Sequence, residues 1–458
     1  MHIHILGIAG TMTAHLAVSL KKQGNIVTGS DQEKIYPPIS TTLKKANIKV
    51  NLIDIDNSID LAIIGSSYNS FENTRTEFKK IKKLKIPYIS ATEYITQNLI
   101  KENSILVAGS FGKTTITSLI SWIFLQAKKD PNYMFGGNPK NKYESIHFSP
   151  SNWSIVEADE SINGLDKMAK FLYYPVKHLV LTSADWEHKD SYPKEIDNLN
   201  AFKKLVLKIP EDGILLINDQ SLTAKKISLY SSSKIITYNS NQSDYFIDKI
   251  KFKNNLTTLV INTPSGLIKI DTQLIGQFNF ENILAAVAIS DSLKIKTRVI
   301  QKAIFSFRGI KRRLEKVANY QNILFFDDFA QSATRIESTL KALKDHYPQK
   351  TIKVFYQSHA SFSQYKENLV GLEKAFQPAK EIVLGQLKFS QNIDKKNRNT
   401  AKDFINSIGP KLIYLPLEKQ IIKYYKDSLM PNDILIYMSS GGLTSSHIFK
   451  SIINYFKK

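Results

Sequence analysis

The 458-residue chain contains no cysteine, which excludes disulfides, thiol catalysis and thiolate metal sites. Nowhere does it reach the roughly 18 consecutive apolar residues expected of a membrane-crossing helix, so no membrane insertion is expected. The opening segment, MHIHILGIAG, lacks the basic start of an export signal and reads as a buried strand. A cytoplasmic location is the matching expectation. Arginine is scarce, with seven residues (75, 298, 308, 312, 313, 335 and 398) against 55 lysines. The net charge of +21 is therefore lysine charge, spread along the chain. A nucleic-acid binder is expected to cluster its charge and to use more arginine. The pattern instead describes a solvated surface that attracts small anions, with no nucleic-acid partner and a monomer or weak oligomer as the expected state.

With 42% hydrophobic and 22% charged residues, the composition is that of a globular protein, and the length suggests about three domains. There is no internal repeat and no low-complexity linker. Apolar strands alternate with helices throughout, which predicts parallel βαβ units. The first unit runs from the strand His2–Leu6, through a helix at 12–23, to a strand ending near Gly29-Ser30-Asp31. The second begins with a strand at 105–108 and closes with a helix at 282–293, with short alternating strands over 245–271. A third starts near Gly309. The expected domains are 1–101, 102–308 and 309–458.

The sharpest local signal is Gly109-Ser110-Phe111-Gly112-Lys113-Thr114-Thr115, between an apolar strand and a helix. Glycines let backbone N–H groups approach phosphate oxygens, and the helix N-terminus adds partial positive charge. Lys113 can neutralise terminal phosphates and the Thr114 hydroxyl can bind Mg²⁺. Glu157-Ala158-Asp159-Glu160 and Asp185-Trp186-Glu187-His188 both follow strands, at the edge where α/β proteins bind ligands. Carboxylate oxygens there suit Mg²⁺. A weaker signal, Gly7-Ile8-Ala9-Gly10, precedes Asp31 by a spacing that approximates a dinucleotide site. His2 and His4 read as packing residues.

Five motifs in order resemble the Mur ligase family, the ATP-dependent amide ligases of peptidoglycan assembly. They are Gly109–Thr115, Glu157–Glu160, Gly276-Gln277-Phe278-Asn279-Phe280-Glu281-Asn282, Gly309-Ile310-Lys311-Arg312-Arg313-Leu314-Glu315 and Asp327-Asp328-Phe329-Ala330. Tyr36–Thr41, Leu165–Phe171, and Met438–Leu443 with His447 are similar to the peptidoglycan-recycling branch. The resemblance implies an α/β fold with a Rossmann-like N-terminal domain for the UDP-sugar, a P-loop ATPase-like central domain, and a Rossmann-like C-terminal domain for acceptor and nucleotide. It also implies a reaction in which ATP activates the lactyl carboxylate of UDP-N-acetylmuramate as an acyl phosphate, which the amine of a murein tripeptide then attacks. The same reaction with L-alanine is the alternative, and a non-catalytic nucleotide-binding relative is a third reading.

The implied roles follow residue by residue. Lys113, His188 and Arg313 are catalytic. ATP meets Gly109, Ser110, Phe111, Gly112, Lys113, Thr114, Thr115, Asn279, Asn282, Arg313 and Asp328. Mg²⁺ is held by Thr114 and Glu157, with His188 on a second ion. The UDP-sugar meets Gly7, Ile8, Ala9, Gly10, Thr11, Asp31, Ser66, Ser67 and Asn73. The chain departs from the family where Gln331-Ser332-Ala333 follows the Asp-Asp pair in place of histidines. It also departs at Gln357-Ser358-His359, where an arginine is usual.

Overall fold

The structure, a computed structural model, describes residues 1–35, 39–51, 54–186, 191–253, 256–359, 362, 365–388, 398–439 and 446–457. The chain divides into two compact units. One comprises Met1–Gln273 with Asn279–Arg308, and the other Leu274–Phe278 with Gly309–Lys458.

The first unit holds three sheets. The N-terminal one is parallel throughout, with strand order Lys49–Val50, Ile26–Ser30, His2–Leu6, Leu61–Ile64 and Tyr88–Ser90. Its central strand, His2–Leu6, is buried on both faces, as a parallel strand between helices must be. The second sheet has seven strands, ordered Lys234–Tyr238, Ile214–Asn218, His178–Leu181, Asn103–Ala108, Trp153–Glu157, Asn132–Met134 and Ile146–His147. Only the last pairing is antiparallel among these. The strand Asn103–Ala108 lies at its centre, so the loop that follows leaves from the carboxyl edge, where neighbouring strands end as well. The third sheet is an antiparallel meander of Phe246–Lys253, Leu256–Thr263 and Gly266–Thr272. The expected short strands over 245–271 are thus three long ones, and Leu256–Thr263 alternates buried and half-exposed residues at a strict period of two.

The second unit is built on one six-stranded sheet, ordered Glu315–Tyr320, Ile323–Asp328, Asp433–Met438, Thr351–Tyr356, Glu381–Leu384 and Leu412–Tyr414. All its pairings are parallel except the first. Asp433–Met438 is entirely buried, and helices on the two faces enclose separate apolar clusters.

One boundary moves. The helix expected from Asn282 begins at Gln277, directly after Gly276, whose φ of +93° suits glycine. Asn279 and Asn282 therefore stand one turn apart on one helix face, not before and at its start.

Candidate active site

The loop after Asn103–Ala108 has glycines at its two ends for a stated reason. Gly109 has φ +125°, and a Cβ there would stand 2.7 Å from the Ser183 backbone nitrogen. Gly112 has φ +81°, and a Cβ there would overlap the Asn282 side-chain oxygen. The loop is pinned from the adjacent strand end: Ser110 N–H donates to Ser183 Oγ at 3.2 Å, and the Ser110 hydroxyl donates to the Asp185 carbonyl at 3.0 Å. The Thr182 hydroxyl donates to the Phe111 carbonyl at 2.8 Å. Gly112 caps the helix Lys113–Gln126, whose first turn carries no acidic residue, so its N-terminus stays electropositive.

Lys113 and Thr114 open that helix, and each meets a carboxylate from the strand end at 157–160. Lys113 Nζ donates to both Glu160 oxygens, at 2.8 and 3.0 Å, and to the Gly109 carbonyl at 2.6 Å. Thr114 donates its hydroxyl to Glu157 Oε1 at 2.8 Å, and Gly136 N–H donates to Glu157 Oε2 at 2.6 Å. Burial pushes the Glu157 carboxyl up, against those hydrogen bonds and the nearby charge of Lys113. Asp159 is held well below the usual carboxylate range: burial alone would raise it, but the Lys170 ammonium at 2.9 Å and Ser161 prevail.

A hydroxyl and a half-buried, destabilised carboxylate side by side next to a phosphate-type loop form a donor set that suits Mg²⁺, which takes oxygen ligands and completes its shell with water and phosphate. Among the described residues, no three His, Asp or Glu side chains gather around one point. His188, expected on a second ion, lies outside the described residues. Asn279 and Asn282 are buried, and Asn282 closes on Gly112. Thr115 is buried, while Phe111 is 39% exposed on the loop.

In the N-terminal sheet region, Gly7 turns the chain at φ +75°, where a Cβ would press on Ser67 Oγ at 2.9 Å. Ile8 is buried, whereas Gly10 and Thr11 are exposed at the start of the helix Thr11–Lys22. Asp31 is only 3% exposed. One of its oxygens accepts from Ala9 N–H and the other from Gln32 N–H, both at 2.7 Å. Its carboxylate thus fastens the glycine turn. Asn73 donates to the Asp31 carbonyl at 2.7 Å, and Ser66 and Ser67 lie beside the turn at the next strand end.

In the second unit, Asp328 is buried and accepts three hydrogen bonds. It accepts from Leu314 N–H, from Ala330 N–H at 2.8 Å and from the Thr339 hydroxyl at 3.4 Å. It straps the segment 309–315 to the strand end, in a backbone where Arg312 and Leu314 have positive φ. Arg312 and Arg313 lie over the Phe329 ring, 5.2 and 5.4 Å from its centroid. Asp327 pairs with Arg312 at 3.5 Å, and burial pushes its carboxyl up to about 7 in spite of that partner. Gln331 is built into the fold: its amide donates to the Gln357 carbonyl at 3.3 Å and its oxygen accepts from His359 N–H at 2.9 Å.

Motif reading passed over Glu160 as a site residue, and also Asp327. Their signal was present in the quoted motifs. Which acid of each pair meets a cation depends on strand pleat and burial.

Comparisons with known proteins bear on the family and the fold. The Mur ligase family, catalytic domain, matches residues 2–102, and the Mur ligase middle domain matches residues 107–290. The chain is 28% identical to the UDP-N-acetylmuramate–L-alanine ligase of Pelagibacter ubique over 455 residues, 97% of this chain and 96% of that protein. It is 30% identical to the UDP-N-acetylmuramate–L-alanyl-gamma-D-glutamyl-meso-2,6-diaminoheptandioate ligase of Escherichia coli over 358 residues, 75% of this chain and 76% of that one. The crystal structure of UDP-N-acetylmuramate-alanine ligase from Thermotoga maritima superposes with a TM-score of 0.79 at 19% identity, covering 100% of this chain and 99% of that one, and shows the same fold. The loop, the strand-end carboxylates and these likenesses converge: the chain belongs to the Mur ligase family, ATP-dependent ligases that form an amide bond.

Proposed function

We propose that this enzyme joins L-alanine to UDP-N-acetylmuramate in the cytoplasm. One observation carries the reading. Similarity to the L-alanine-adding relative extends over 97% of the chain, whereas similarity to the tripeptide-adding relative leaves a quarter of it unaligned. The tripeptide acceptor implied by the sequence motifs becomes the second reading, and the 30% identity to the Escherichia coli enzyme favours it.

In this reading residues 1–101 hold the UDP-sugar, 102–308 hold ATP, and 309–458 serve the acceptor and nucleotide. The turn Gly7–Thr11 offers N–H groups and a helix N-terminus to the diphosphate. Asp31 fixes that turn, with Ser66, Ser67 and Asn73 beside it. The loop Gly109–Thr115 receives the ATP phosphates, and Lys113 exchanges Glu160 for phosphate oxygens as they enter. Thr114 and Glu157 hold Mg²⁺, with His188 as the proposed ligand of a second ion; bound Mg²⁺ supplies positive charge to the transferring phosphoryl group. Asn279 and Asn282 face the adenine, with Asp328 and Arg313 toward the rest of the nucleotide.

A carboxylate oxygen of the lactyl group bonds to the γ-phosphorus as ADP departs, giving an acyl phosphate. The acceptor amine bonds to the carbonyl carbon, phosphate leaves with its bonding electrons, and the amine loses a proton. This chain's own part is to position and neutralise charge, the dominant need in phosphoryl transfer.

The test incubates the protein with UDP-N-acetylmuramate, ATP and Mg²⁺, with L-alanine or the tripeptide in parallel, and detects product by mass. Product with L-alanine is expected. Product with the tripeptide alone would establish the second reading instead.

A further inference from the structure

One face of the N-terminal sheet is apolar around Leu6, Ala62 and Ile64 but carries a buried polar chain beside them. His2 and His4 share a face of their strand, and Thr28 pairs with His4 on the neighbouring strand. Thr28 Oγ1 lies 3.0 Å from His2 Nε2 and 2.9 Å from His4 Nδ1. The other nitrogen of His4 lies 3.4 Å from Glu77 Oε2, on the helix Glu72–Lys83, and the Ser30 hydroxyl donates to the same oxygen. His4, Thr28 and Ser30 are all buried. So deep a polar chain is costly unless each member is partnered, and its members fix one another's orientation. Its outer end is Glu77, whose side chain is 20% exposed and whose Oε1 has no protein partner among the described residues.

Glu77 lines an open cavity of about 790 Å³, with Glu33 and Glu72 also in its wall and, among the described residues, no lysine or arginine. An acid-lined cavity in a chain of net charge +21 is selective. It repels phosphate and favours a neutral moiety rich in N–H and O–H donors. Phosphate is served instead by the exposed Gly10 and Thr11 at the N-terminus of Thr11–Lys22. Asp31, the acid expected to serve the uridine, has both oxygens occupied by backbone N–H groups.

We propose that Glu77, oriented by His4 and Ser30, is the carboxylate that reads the nucleoside end of the UDP-sugar, accepting a hydrogen bond from the uracil N3–H or the ribose 2′-hydroxyl. The inference rests on the UDP-sugar reading above and adds its specificity-determining residue.

The experiment is calorimetric titration of the full chain and its Glu77→Gln variant with UDP, 2′-deoxy-UDP and N3-methyl-UDP. A hydrogen bond to a charged acceptor is worth about tenfold or more in affinity. UDP is expected to bind Glu77→Gln about tenfold more weakly than the wild type, and KM for the UDP-sugar is expected to rise while KM for ATP does not. On the wild type, one analogue loses the same factor: 2′-deoxy-UDP if the ribose is read, N3-methyl-UDP if the base is. That analogue is expected to bind the variant as UDP does. The wild-type arm needs no variant to fold. Equal UDP affinity in wild type and Glu77→Gln, or analogues that bind the wild type as UDP does, would overturn the assignment of Glu77. Absence of UDP binding to the wild type would overturn the UDP-sugar reading and the inference with it.

Discussion

Removing Lys113 is expected to have two separable effects, because the ion pair it forms is buried and Lys113 is also the proposed phosphate ligand. The Lys113 side chain is 13% exposed and that of Glu160 is 4% exposed, with 2.8 Å between the charged atoms. At an effective dielectric constant of about 20, the gross attraction at that distance is about 6 kcal/mol, largely offset by desolvation. Lys113→Met takes the Lys113 ammonium away from the buried Glu160 carboxylate, at a cost of about 3–5 kcal/mol. Proton uptake sets an independent ceiling. Protonating an ordinary glutamate at about pH 7.5 costs about 4 kcal/mol, so the buried carboxylate takes up a proton before the cost exceeds that.

The expected destabilisation is therefore about 3–4 kcal/mol near neutral pH. It shrinks as the pH falls toward the ordinary glutamate range, since the unfolded chain then protonates too. Lys113→Met/Glu160→Gln removes the buried charge and is expected to recover most of the loss. Activity behaves differently. Both variants lack the cation at the phosphates and are expected to lose at least about 10²–10³-fold in turnover. Trp122, Trp153 and Trp186 all lie in the unit that holds the pair, so tryptophan fluorescence in urea reports its unfolding directly. Acceptor-dependent phosphate release reports activity. A single variant as stable as the wild type would refute the buried-pair argument. A double variant that recovers activity along with stability would refute the role of Lys113 at the phosphates.

Three further outcomes are expected. Gly112→Ala is strained by about 1–2 kcal/mol at φ +81° and collides with Asn282, so it loses ATP affinity in a nucleotide titration. Gly24→Ala, at φ +91° with nothing within 4 Å, is expected to share the strain and keep that affinity. His178 is pushed down to about 4 by burial, with the Lys177 charge adding to the effect, so its neutral form is favoured in the folded state. Its contribution is complete above pH 6.5 and is lost as the pH falls from there to about 4, worth about 3 kcal/mol in all. His178→Phe should flatten the urea-midpoint profile across that window; an unchanged profile would contradict the assignment. Lys353, 6% exposed, pairs with Asp433 at 3.1 Å and Glu381 at 3.7 Å. Lys353→Met is expected to cost about 3–5 kcal/mol in the second unit, and adding Glu381→Gln and Asp433→Asn to restore most of it. Circular-dichroism melts decide that case.

Much of this enzyme is legible without coordinates because its chemistry is local. A loop that must bring N–H groups to phosphate needs glycine at fixed places, and a parallel sheet buried on both faces needs apolar runs between helices. Gly109–Thr115 and the βαβ alternation carry those needs in consecutive residues. The two-residue strand Lys49–Val50 and the edge strand Glu315–Tyr320 were not legible, since each is defined only by the partner it finds. The start of the helix at Gln277 was missed for a similar reason, because Gly276 can end a turn or open a helix.

The sequence by itself determined the α/β layering and the glycine loop before Lys113, both set by spacing along the chain, and its five ordered motifs carried the resemblance to the family. Only the tertiary structure decided which acid meets which partner. Glu160, not Glu157, takes Lys113; Asp31 and Asp328 turn inward to hold backbone N–H groups; and His4, an apparent packing residue, joins Thr28, Ser30 and Glu77 in one chain of hydrogen bonds. Those choices are made by strand pleat, register and burial, which bring together residues as distant in sequence as His4 and Glu77 and which no single segment encodes.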